Sequence, residues 1–247
     1  MDRSLYIAMS GAKQTLLAQS TNANNLANTQ TTGFKADLEQ FRSMPVFGAG
    51  YPTRVYAMTE RPGGDMAHGA MQTTGRDFDV AIDGDGFIAV QGADGKEAYK
   101  RAGDLRVTPE GLLQTGDGLQ VLGDGGPITI PPSEQVTIGA DGTISTIPLG
   151  SGNATAIVVA DRIKLVNPAL ANLEKQNDGL LHTKDGQPAA TDASVKLVSG
   201  ALEGSNVNAI NAMVDMIELA KNFELQTKVM KNVDQNSAAS AKLMQMV

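Results

Sequence analysis

The chain has no cysteine, no tryptophan and few aromatic residues, and these shortages restrict the classes of function that it can have. Without cysteine, its 247 residues cannot form disulfides, thiol active sites or thiolate metal sites. Aromatic residues make up 4% of the chain, although a hydrophobic share of 41% can still support a packed core. The net charge of −7 does not provide the basic surface typical of nucleic-acid binding. We therefore expect no nucleic-acid partner.

The sequence also lacks long apolar runs. No stretch reaches the roughly 18 consecutive apolar residues that a membrane-spanning helix needs. The first twelve residues contain an apolar patch but neither a basic n-region nor a long apolar h-region. We therefore expect no direct membrane insertion and, if the protein is exported, no ordinary cleaved signal peptide.

The most regular pattern is a heptad repeat at the C-terminal end. No glycine or proline follows Gly204, and residues that are mostly small or apolar recur at alternating steps of three and four. This spacing predicts one helix of about 40 residues, about 60 Å long, with Ser205 or Asn206 as its N-cap. The seam comprises Ala209, Ala212, Met216, Leu219, Phe223, Gln226, Met230, Val233, Ser237, Ser240, Met244 and Val247. A second row, made of Ile210, Met213, Val214 and Ile217, widens the apolar face.

The N-terminal end carries a similar but shorter stripe with little charge, which is typical of a coiled-coil seam. Its residues are Leu5, Met9, Ala12, Leu16, Gln19, Ala23 and Leu26. Asparagines from Asn24 to Asn28 are predicted to end this helix, and 29–33 to form a turn. One stripe alone usually packs against its own domain. Two stripes of unequal length, at opposite ends of the chain, predict helices that pair with each other and with neighbouring subunits.

Between the two helices the pattern changes twice. Residues 34–74 are rich in glycine and proline and predict an extended connector, with a short helix over 36–42. Residues 75–200 contain short β-type segments between glycine turns, which predict an antiparallel β domain. The fold class is thus α+β, with terminal helices packed together. We expect four regions: an N-terminal helix (1–33), a connector (34–74), the β domain (75–200) and a C-terminal helix (201–247).

Candidate chemistry is sparse. Asp83-Gly84-Asp85-Gly86 predicts a hairpin turn between the segments 80–82 and 87–90. Further Asp-Gly pairs at 94–95, 117–118, 124–125 and 141–142 also fit turns better than calcium loops, because no EF-hand or nonapeptide repeat accompanies them. His68 and His182 stand in polar surroundings and are expected to be exposed. We predict no catalytic, cofactor-binding or metal-binding residue and no enzymatic activity.

Five motifs, in order along the whole chain, resemble those of the bacterial flagellar rod and hook family. The first is Asn24-Asn25-Leu26-Ala27-Asn28, followed by Thr32-Gly33-Phe34-Lys35. The second to fourth cover residues 79–87, 99–103 and 141–145. The fifth is Leu202-Glu203-Gly204-Ser205-Asn206-Val207-Asn208, with Met216-Ile217 and Phe223-Glu224 after it. Within the family, the length and the short connector resemble a proximal rod subunit. The distal rod subunit is the alternative, and the hook protein would carry an additional β domain.

The resemblance implies a structural subunit rather than an enzyme. Such proteins pack their terminal helices into an inner tube with the β domain facing outward, and the rod transmits motor torque to the hook across the periplasm. The implied partners are copies of the chain, other proximal and distal rod proteins and the flagellar type III export apparatus, which would export the chain without a cleaved signal. The residues expected to carry subunit packing are Leu5, Met9, Leu16, Leu26, Met216, Leu219, Phe223 and Met230.

Two alternatives from other classes remain open at this stage. A periplasmic module could bind a glycan or a peptide through the β domain while its helices dimerise. An enzyme acting on cell-wall polymer would need a pair of carboxylates in a cleft, at least one with a raised pKa. The composition gives neither alternative active support.

Overall fold

The computed structural model describes residues 3–45, 55–149, 157–176 and 178–245. The chain divides into two compact units, and each is built from segments that are separated in sequence. Unit 1 combines Met1–Thr29, Ala36–Asp65 and Val207–Val247. Unit 2 combines Gln30–Lys35 with Met66–Asn206. The predicted α+β class, with an antiparallel β domain inserted in the sequence between N- and C-terminal helices, is confirmed.

Unit 1 is centred on an antiparallel pair of helices, α1 (Arg3–Ala27) and α2 (Ala209–Gln245). At the middle of α1, Gln226 Nε2 donates a hydrogen bond to Thr15 Oγ1 at 3.2 Å. Towards the C-terminal end of α1, Asn22 Nδ2 donates to the carbonyl oxygen of Ala212 at 2.7 Å. Residue numbers therefore rise along one helix as they fall along the other. The predicted pairing of the two terminal helices with each other occurs within the chain.

A long two-stranded hairpin lies within the predicted connector and packs on α1. Its strands are β1 (Asp37–Pro45) and β2 (Val55–Gly64), which pair antiparallel. The predicted short helix over 36–42 is wrong, because this segment is β1. The backbone N–H and carbonyl groups of β1 form hydrogen bonds with β2 rather than within a helical turn. The sequence pattern did not reveal this pairing, because the two strands are separated in the sequence.

An asparagine side chain caps the C-terminal end of α1, and another caps the N-terminal end of α2. α1 ends at Ala27, as the asparagine cluster predicted, and Asn28 Nδ2 donates to the carbonyl oxygen of Asn24 at 2.9 Å. α2 begins at Ala209, and Asn208 Oδ1 accepts hydrogen bonds from the backbone N–H groups of Ile210 and Asn211. Asn208 is therefore the N-cap, and the prediction of Ser205 or Asn206 is wrong by two or three residues.

Unit 2 is an antiparallel β structure with short strands. In chain order they are β3 (Met71–Thr73), β4 (Val80–Asp83), β5 (Phe87–Gln91), β6 (Glu97–Lys100), β7 (Leu105–Val107), β8 (Leu113–Thr115), β9 (Gln120–Gly123), β10 (Gly126–Pro127), β11 (Ser133–Ile138), β12 (Thr143–Pro148), β13 (Val158–Arg162), β14 (Leu165–Val166), β15 (Leu173–Lys175), β16 (Leu181–Thr183), β17 (Lys196–Ser199) and β18 (Ala201–Glu203). A 3₁₀ turn, Leu170–Asn172, precedes β15. The sequence pattern predicts one longer strand over 156–166. In the structure this segment is divided between β13 and β14, and Ala156 lies outside the described residues.

The main sheet runs in the order β15-β16-β6-β5-β9-β8-β7, with β10 beside β9 and β14 beside β5. β11, β12 and β13 form a separate meander, while β17 pairs with β4 and β18 pairs with β3. β5 lies in the middle of the main sheet and is buried on both faces. Ile88 and Val90 belong to one apolar cluster, and Phe87 and Ala89 belong to another.

The predicted hairpin between β4 and β5 is wrong, since β4 pairs with β17 and β5 pairs with β6, β9 and β14. A type I′ turn needs two adjacent residues with positive φ. Here Gly84 (φ 83°) and Gly86 (φ 133°) flank Asp85, which has a negative φ. The segment is therefore not a type I′ turn, and the chain passes from β4 to β5 without pairing the two strands. The Asp-Gly pairs at 94–95, 117–118 and 141–142 do occupy hairpin turns, and Gly95, Gly118 and Gly142 have positive φ.

Candidate assembly surface

The face that α1 presents within unit 1 is made of small side chains. Among the described residues of unit 1, the buried side chains are Ala12, Thr15, Ala18, Thr21 and Ala212. A Cβ added at Gly11 would lie 3.2 Å from Gln226 Nε2, so the two helices approach closely at this point. Close contact between small residues leaves little room for large side chains at the interface.

Several large apolar side chains of α1 lie on an exposed face of the helix. Met9 is 55% exposed and Leu16 is 49% exposed, whereas Leu5 and Leu26 are half-buried. Met9 and Leu16 share one exposed helix face with Tyr6 and Leu17, and we name these four residues the α1 row. The residues of the predicted N-terminal stripe therefore lie on two different faces of α1. The exposed face holds large apolar side chains that the hydrophobic pattern detects, whereas the buried face holds small side chains that the pattern does not detect.

α2 follows its predicted seam more closely. Met216, Leu219, Phe223 and Met230 are half-buried, and Ala212 is buried among them. The seam is exposed at Ser237 and Ser240, while the side chain of Met244 and all of Val247 lie outside the described residues. The second predicted row does not widen this face, because its residues lie on the opposite, exposed side of the helix. We name it the α2 row, and it consists of Ile210, Met213, Val214 and Ile217.

An apolar groove of about 650 Å³ opens between the two helices and the hairpin. α1 contributes Ile7 and Gly11, the hairpin contributes Phe41 and Ala57, and α2 contributes Leu225 and Val229. Phe41 and Leu225 are more than half exposed. Such an exposed apolar concavity is typical of a surface that another molecule covers.

The hairpin is held to α1 by polar side chains. Asn25 donates its Nδ2–H to the carbonyl oxygen of Asp37 and accepts the Asp37 N–H at its Oδ1, both at 2.9 Å. Thr21 donates a hydrogen bond to the Glu39 carboxylate. The Asn25 side chain therefore pairs with the backbone of Asp37 as a residue of a neighbouring strand would. This role explains why the first family motif has an asparagine at this position.

Unit 2 contains a buried ion-pair cluster that sequence analysis did not predict. Glu203 Oε1 accepts from Lys35 Nζ at 2.7 Å and from the Gly69 N–H at 2.9 Å, and Glu203 Oε2 accepts from Arg101 Nε at 2.6 Å. The three side chains of this Glu203 cluster are at most 5% exposed. Arg101 also donates to the carbonyl oxygens of Gly84 and Gly86. The cluster joins three of the five family motifs.

Opposing effects determine the pKa of Glu203. Burial alone would raise the pKa of this carboxyl group, because the charged form loses its hydration. The hydrogen bonds from Lys35, Gly69 and Arg101 favour the carboxylate more strongly, so the pKa of Glu203 lies below its ordinary value of 4.5. The cluster is therefore a charged, hydrogen-bonded junction at neutral pH.

Other motif residues fix the backbone around this cluster. Gly33 has a φ of 64°, and its N–H donates to the carbonyl oxygen of Glu203 at 2.8 Å. The Phe34 ring lies under Lys175 Nζ, 4.3 Å from the ring centroid. Asn206 donates its N–H to the Phe34 carbonyl oxygen. Of the remaining motif residues, Ser205 and Val207 are half-buried, and Asn24, Ala27 and Asn208 are exposed.

The two histidines differ in their surroundings. His68 is half exposed beside Asp85, as predicted. His182 is buried, and its Nε2 lies 3.0 Å from Asp178 Oδ2, so the prediction that it is exposed is wrong. In the described ranges, no group of three or more acidic or histidine side chains is placed to hold a metal ion. In the same ranges, neither helix is long and apolar enough to cross a membrane.

Comparison with known proteins assigns the chain to a family. Residues 5–35 match the family "Flagella basal body rod protein", residues 81–146 match "Flagellar hook protein FlgE/F/G D1 domain" and residues 198–243 match "Flagellar basal body rod FlgEFG protein C-terminal". The chain is similar over its whole length to the flagellar basal-body rod protein FlgF of Salmonella typhimurium strain LT2. Identity is 42% over 252 residues, covering 100% of both chains. It also matches FlgG of Bacillus subtilis strain 168 at 33% identity, covering 95% of this chain and 96% of the relative.

The chain therefore belongs to the flagellar rod and hook proteins, and within them to the flagellar basal-body rod protein family. FlgF of Escherichia coli strain K12 is also 42% identical over the full length of both chains. Among these relatives, the resemblance is stronger to FlgF than to FlgG. The family membership predicted from the five motifs is confirmed.

Proposed function

We propose that this chain is a structural subunit of the proximal rod and that unit 1 is the part that polymerises into the wall of the tube. The single observation that supports this most is the inversion of residue size within unit 1. The buried positions among its described residues hold alanine and threonine, while its large apolar side chains are either half-buried or lie in exposed rows on both helices. A helix pair with this arrangement needs further apolar partners to cover it.

Unit 2 differs in this respect, because it has a buried core that contains large apolar side chains. Tyr99, Ile82, Leu105 and Ile144 are all less than 3% exposed. Unit 2 thus has the packing expected of a domain that is stable by itself. We infer that unit 2 forms the outer part of the rod and that unit 1 supplies the contacts between subunits, with neighbours that are copies of the chain and other rod proteins.

This role also accounts for the proposed location and partners. A rod subunit acts in the basal body, where the rod crosses the periplasm, and it reaches that site through the flagellar type III export apparatus without a cleaved signal. Its work is mechanical rather than catalytic. Many subunits share the torque, so individual contacts can be weak.

The test is a charge placed on the α1 row. Leu16→Glu should prevent incorporation into the rod and abolish swimming in a flagellated strain that lacks its own copy, because burying an unpaired carboxylate is costly. Leu16→Met keeps an apolar side chain of similar size and should swim normally. Leu170→Glu places the same charge at a 56% exposed leucine of unit 2 and should also swim.

Both swimming and the amount of the chain in purified basal bodies should be measured. Normal incorporation of Leu16→Glu would contradict the proposed role of the α1 row. Absence of the unaltered chain from basal bodies would contradict the proposed function itself.

A further inference from the structure

The backbone passes between the two units at four places, which are 29–30, 35–36, 65–66 and 206–207. In a subunit that transmits torque, a force between the units acts on these crossings, because the covalent chain is continuous there. The way in which the crossing segments are secured inside unit 2 therefore decides whether unit 2 stays folded under load.

Three of these crossing segments are joined to one another by hydrogen bonds within unit 2. Lys35, the last residue before one crossing, donates from Nζ to the carbonyl oxygen of Ala67 at 2.7 Å. Asn206, the last residue before another crossing, donates from Nδ2 to the same Ala67 oxygen at 3.2 Å. The Asn206 N–H also donates to the carbonyl oxygen of Phe34 at 3.3 Å. We name these four residues the exit collar, since Ala67 itself lies next to the crossing at 65–66.

The Glu203 cluster lies where a load on these crossings would begin to separate strands. β18 pairs with β3, and Glu203–Met71 is the residue pair of this ladder that is nearest in sequence to both Asn206 and Met66. A pull on Asn206 would therefore separate Glu203 from Met71 first and then open the rest of the ladder pair by pair. The Glu203 carboxylate resists this first step, because it accepts hydrogen bonds from Lys35, Gly69 and Arg101.

We propose, as an inference that rests on the proposed function, that the exit collar and the Glu203 cluster form a mechanical clamp that keeps unit 2 folded while torque passes through the crossings. Hydrogen bonds that are loaded together share a force, whereas the bonds of a peeled strand break one after another. Arg101 extends the clamp inward, because it also donates to the carbonyl oxygens of Gly84 and Gly86. The clamp gives these buried charges a purpose beyond stability, since apolar residues often stabilise a fold equally well.

Single-molecule pulling of the full-length chain tests the clamp, and the natural absence of cysteine allows thiol-linked handles at chosen positions. Leu170→Cys with Val214→Cys places one handle on each unit, and the chain between these handles passes through Asn206. Leu170→Cys with Glu110→Cys places both handles on unit 2, and the chain between them contains no residue of the clamp. All three handle positions are exposed. The rate at which unit 2 first opens at constant force is measured for both pairs of handles.

Asn206→Ala removes the side-chain hydrogen bond to Ala67 and leaves the core of unit 2 unchanged. With handles on both units, we expect this variant to open about fivefold faster, as the loss of one neutral hydrogen bond predicts. With both handles on unit 2, its opening rate should change less than about twofold. Asn172→Ala, at an exposed asparagine of unit 2, is the matched control and should change neither rate. An unchanged rate for Asn206→Ala with handles on both units would overturn the proposal.

Glu203→Gln removes the carboxylate at the centre of the clamp. This change destabilises unit 2 for either pair of handles, so the informative quantity is the ratio of the two accelerations. We expect the acceleration to be at least about tenfold greater with handles on both units than with both handles on unit 2. Equal accelerations would show that Glu203 only stabilises the fold, and they would overturn the proposal.

Failure of the clamp and failure of the proposed function give different results. If the unaltered chain is found in basal bodies but Asn206→Ala opens no faster under load, the clamp inference fails and the rod function stands. If the unaltered chain is absent from basal bodies, the rod function fails whatever the pulling experiment shows, and the clamp then has no torque to resist.

Discussion

Arg101 and Glu203 bind each other in the interior of unit 2 although 102 positions separate them in the chain, with Nε and Oε2 2.6 Å apart. Lys35 approaches the other oxygen of the same carboxylate from a third segment. The pair therefore links the residues that follow α1, the β structure and the strand that precedes α2. The Glu203 carboxylate therefore connects three segments that are distant from one another in the sequence.

Removing this charge should weaken unit 2 strongly. Glu203→Gln leaves Lys35 and Arg101 buried without their carboxylate, and we expect a loss of about 3 kcal/mol in the free energy of unfolding. Hydrogen exchange followed by mass spectrometry should show reduced protection in β17 and β18. Glu174→Gln, at an exposed position of β15, is the control and should change little. A similar small effect for both variants would contradict a stabilising role for the cluster.

Stability should fall in acid partly because of the same residue. The pKa of Glu203 is lowered in the folded chain, so the unfolded state binds a proton first as pH falls. The contribution of Glu203 is therefore complete above the unfolded value near 4.5 and is lost as pH falls through the lower folded value. Urea unfolding between pH 7 and pH 3 should show this loss. A Glu203→Gln variant with an equally steep acid dependence would exclude Glu203 as a source.

Tyr99 should produce the opposite dependence at high pH. Burial, together with the nearby Glu97 carboxylate, raises the pKa of Tyr99 from 10.0 to about 12, while its hydroxyl also accepts the Ala189 N–H at 2.7 Å. The unfolded chain therefore loses this proton first, and stability should fall by about 2–3 kcal/mol as pH rises from 10 to 12. Ultraviolet titration of tyrosine absorbance measures the pKa directly. The matching control is Tyr99→Phe, in which the tyrosine transition at the highest pH should be missing from this titration.

Gly33 should tolerate no side chain. A Cβ at this position would lie 2.3 Å from the backbone nitrogen of Ala102, and the φ of 64° already disfavours other residues. Gly84→Ala is the matched control, because Gly84 also has a positive φ but has open space around its Cα. We expect Gly33→Ala to lower the thermal midpoint well below that of Gly84→Ala, whose cost is about 1 kcal/mol of backbone strain. Equal midpoints would mean that backbone strain alone matters at Gly33.

Limited proteolysis should separate the two units. The buried side chains among the described residues of unit 1 are small, and its large apolar ones are half-buried or exposed, so unit 1 should open more easily than unit 2. We expect early cleavage within α1 and α2 and a resistant fragment that retains most of residues 66–206, identified by mass spectrometry. Equal resistance of both units would show that the helix pair is stable without neighbouring subunits.

The sequence predicted α2 better than α1 for a physical reason. Along α2, the seam through Met216, Leu219 and Phe223 coincides with the more buried face, so hydrophobic periodicity located the interface. Along α1, the interface consists of Ala12, Thr15 and Ala18, which are too small or polar to stand out. The more apolar Met9 and Leu16 marked the exposed face instead.

Long-range pairing set the other limit. The five motifs identified the family, yet they did not show that Lys35, Arg101 and Glu203 would meet, because each residue alone reads as an ordinary surface charge. The hairpin β1–β2 was missed for a related reason. The outer half of β1 is exposed on both faces, so no alternation of apolar and polar residues marks it as a strand. In both cases the stabilising partner lies in a distant or unpatterned segment.

The interleaving of the two units has a consequence for the order in which the chain is completed. Asn22 and its partner Ala212 are 190 positions apart, and Lys35 and Glu203 are 168 apart. A chain that emerges from its N-terminus first can form most strands of unit 2 early, but α1 must wait for almost the last segment before it finds α2. The helix pair therefore closes last, and a chain truncated before Ala209 would expose α1 without its intramolecular partner. A chain that lacks α2 therefore cannot present the paired helices.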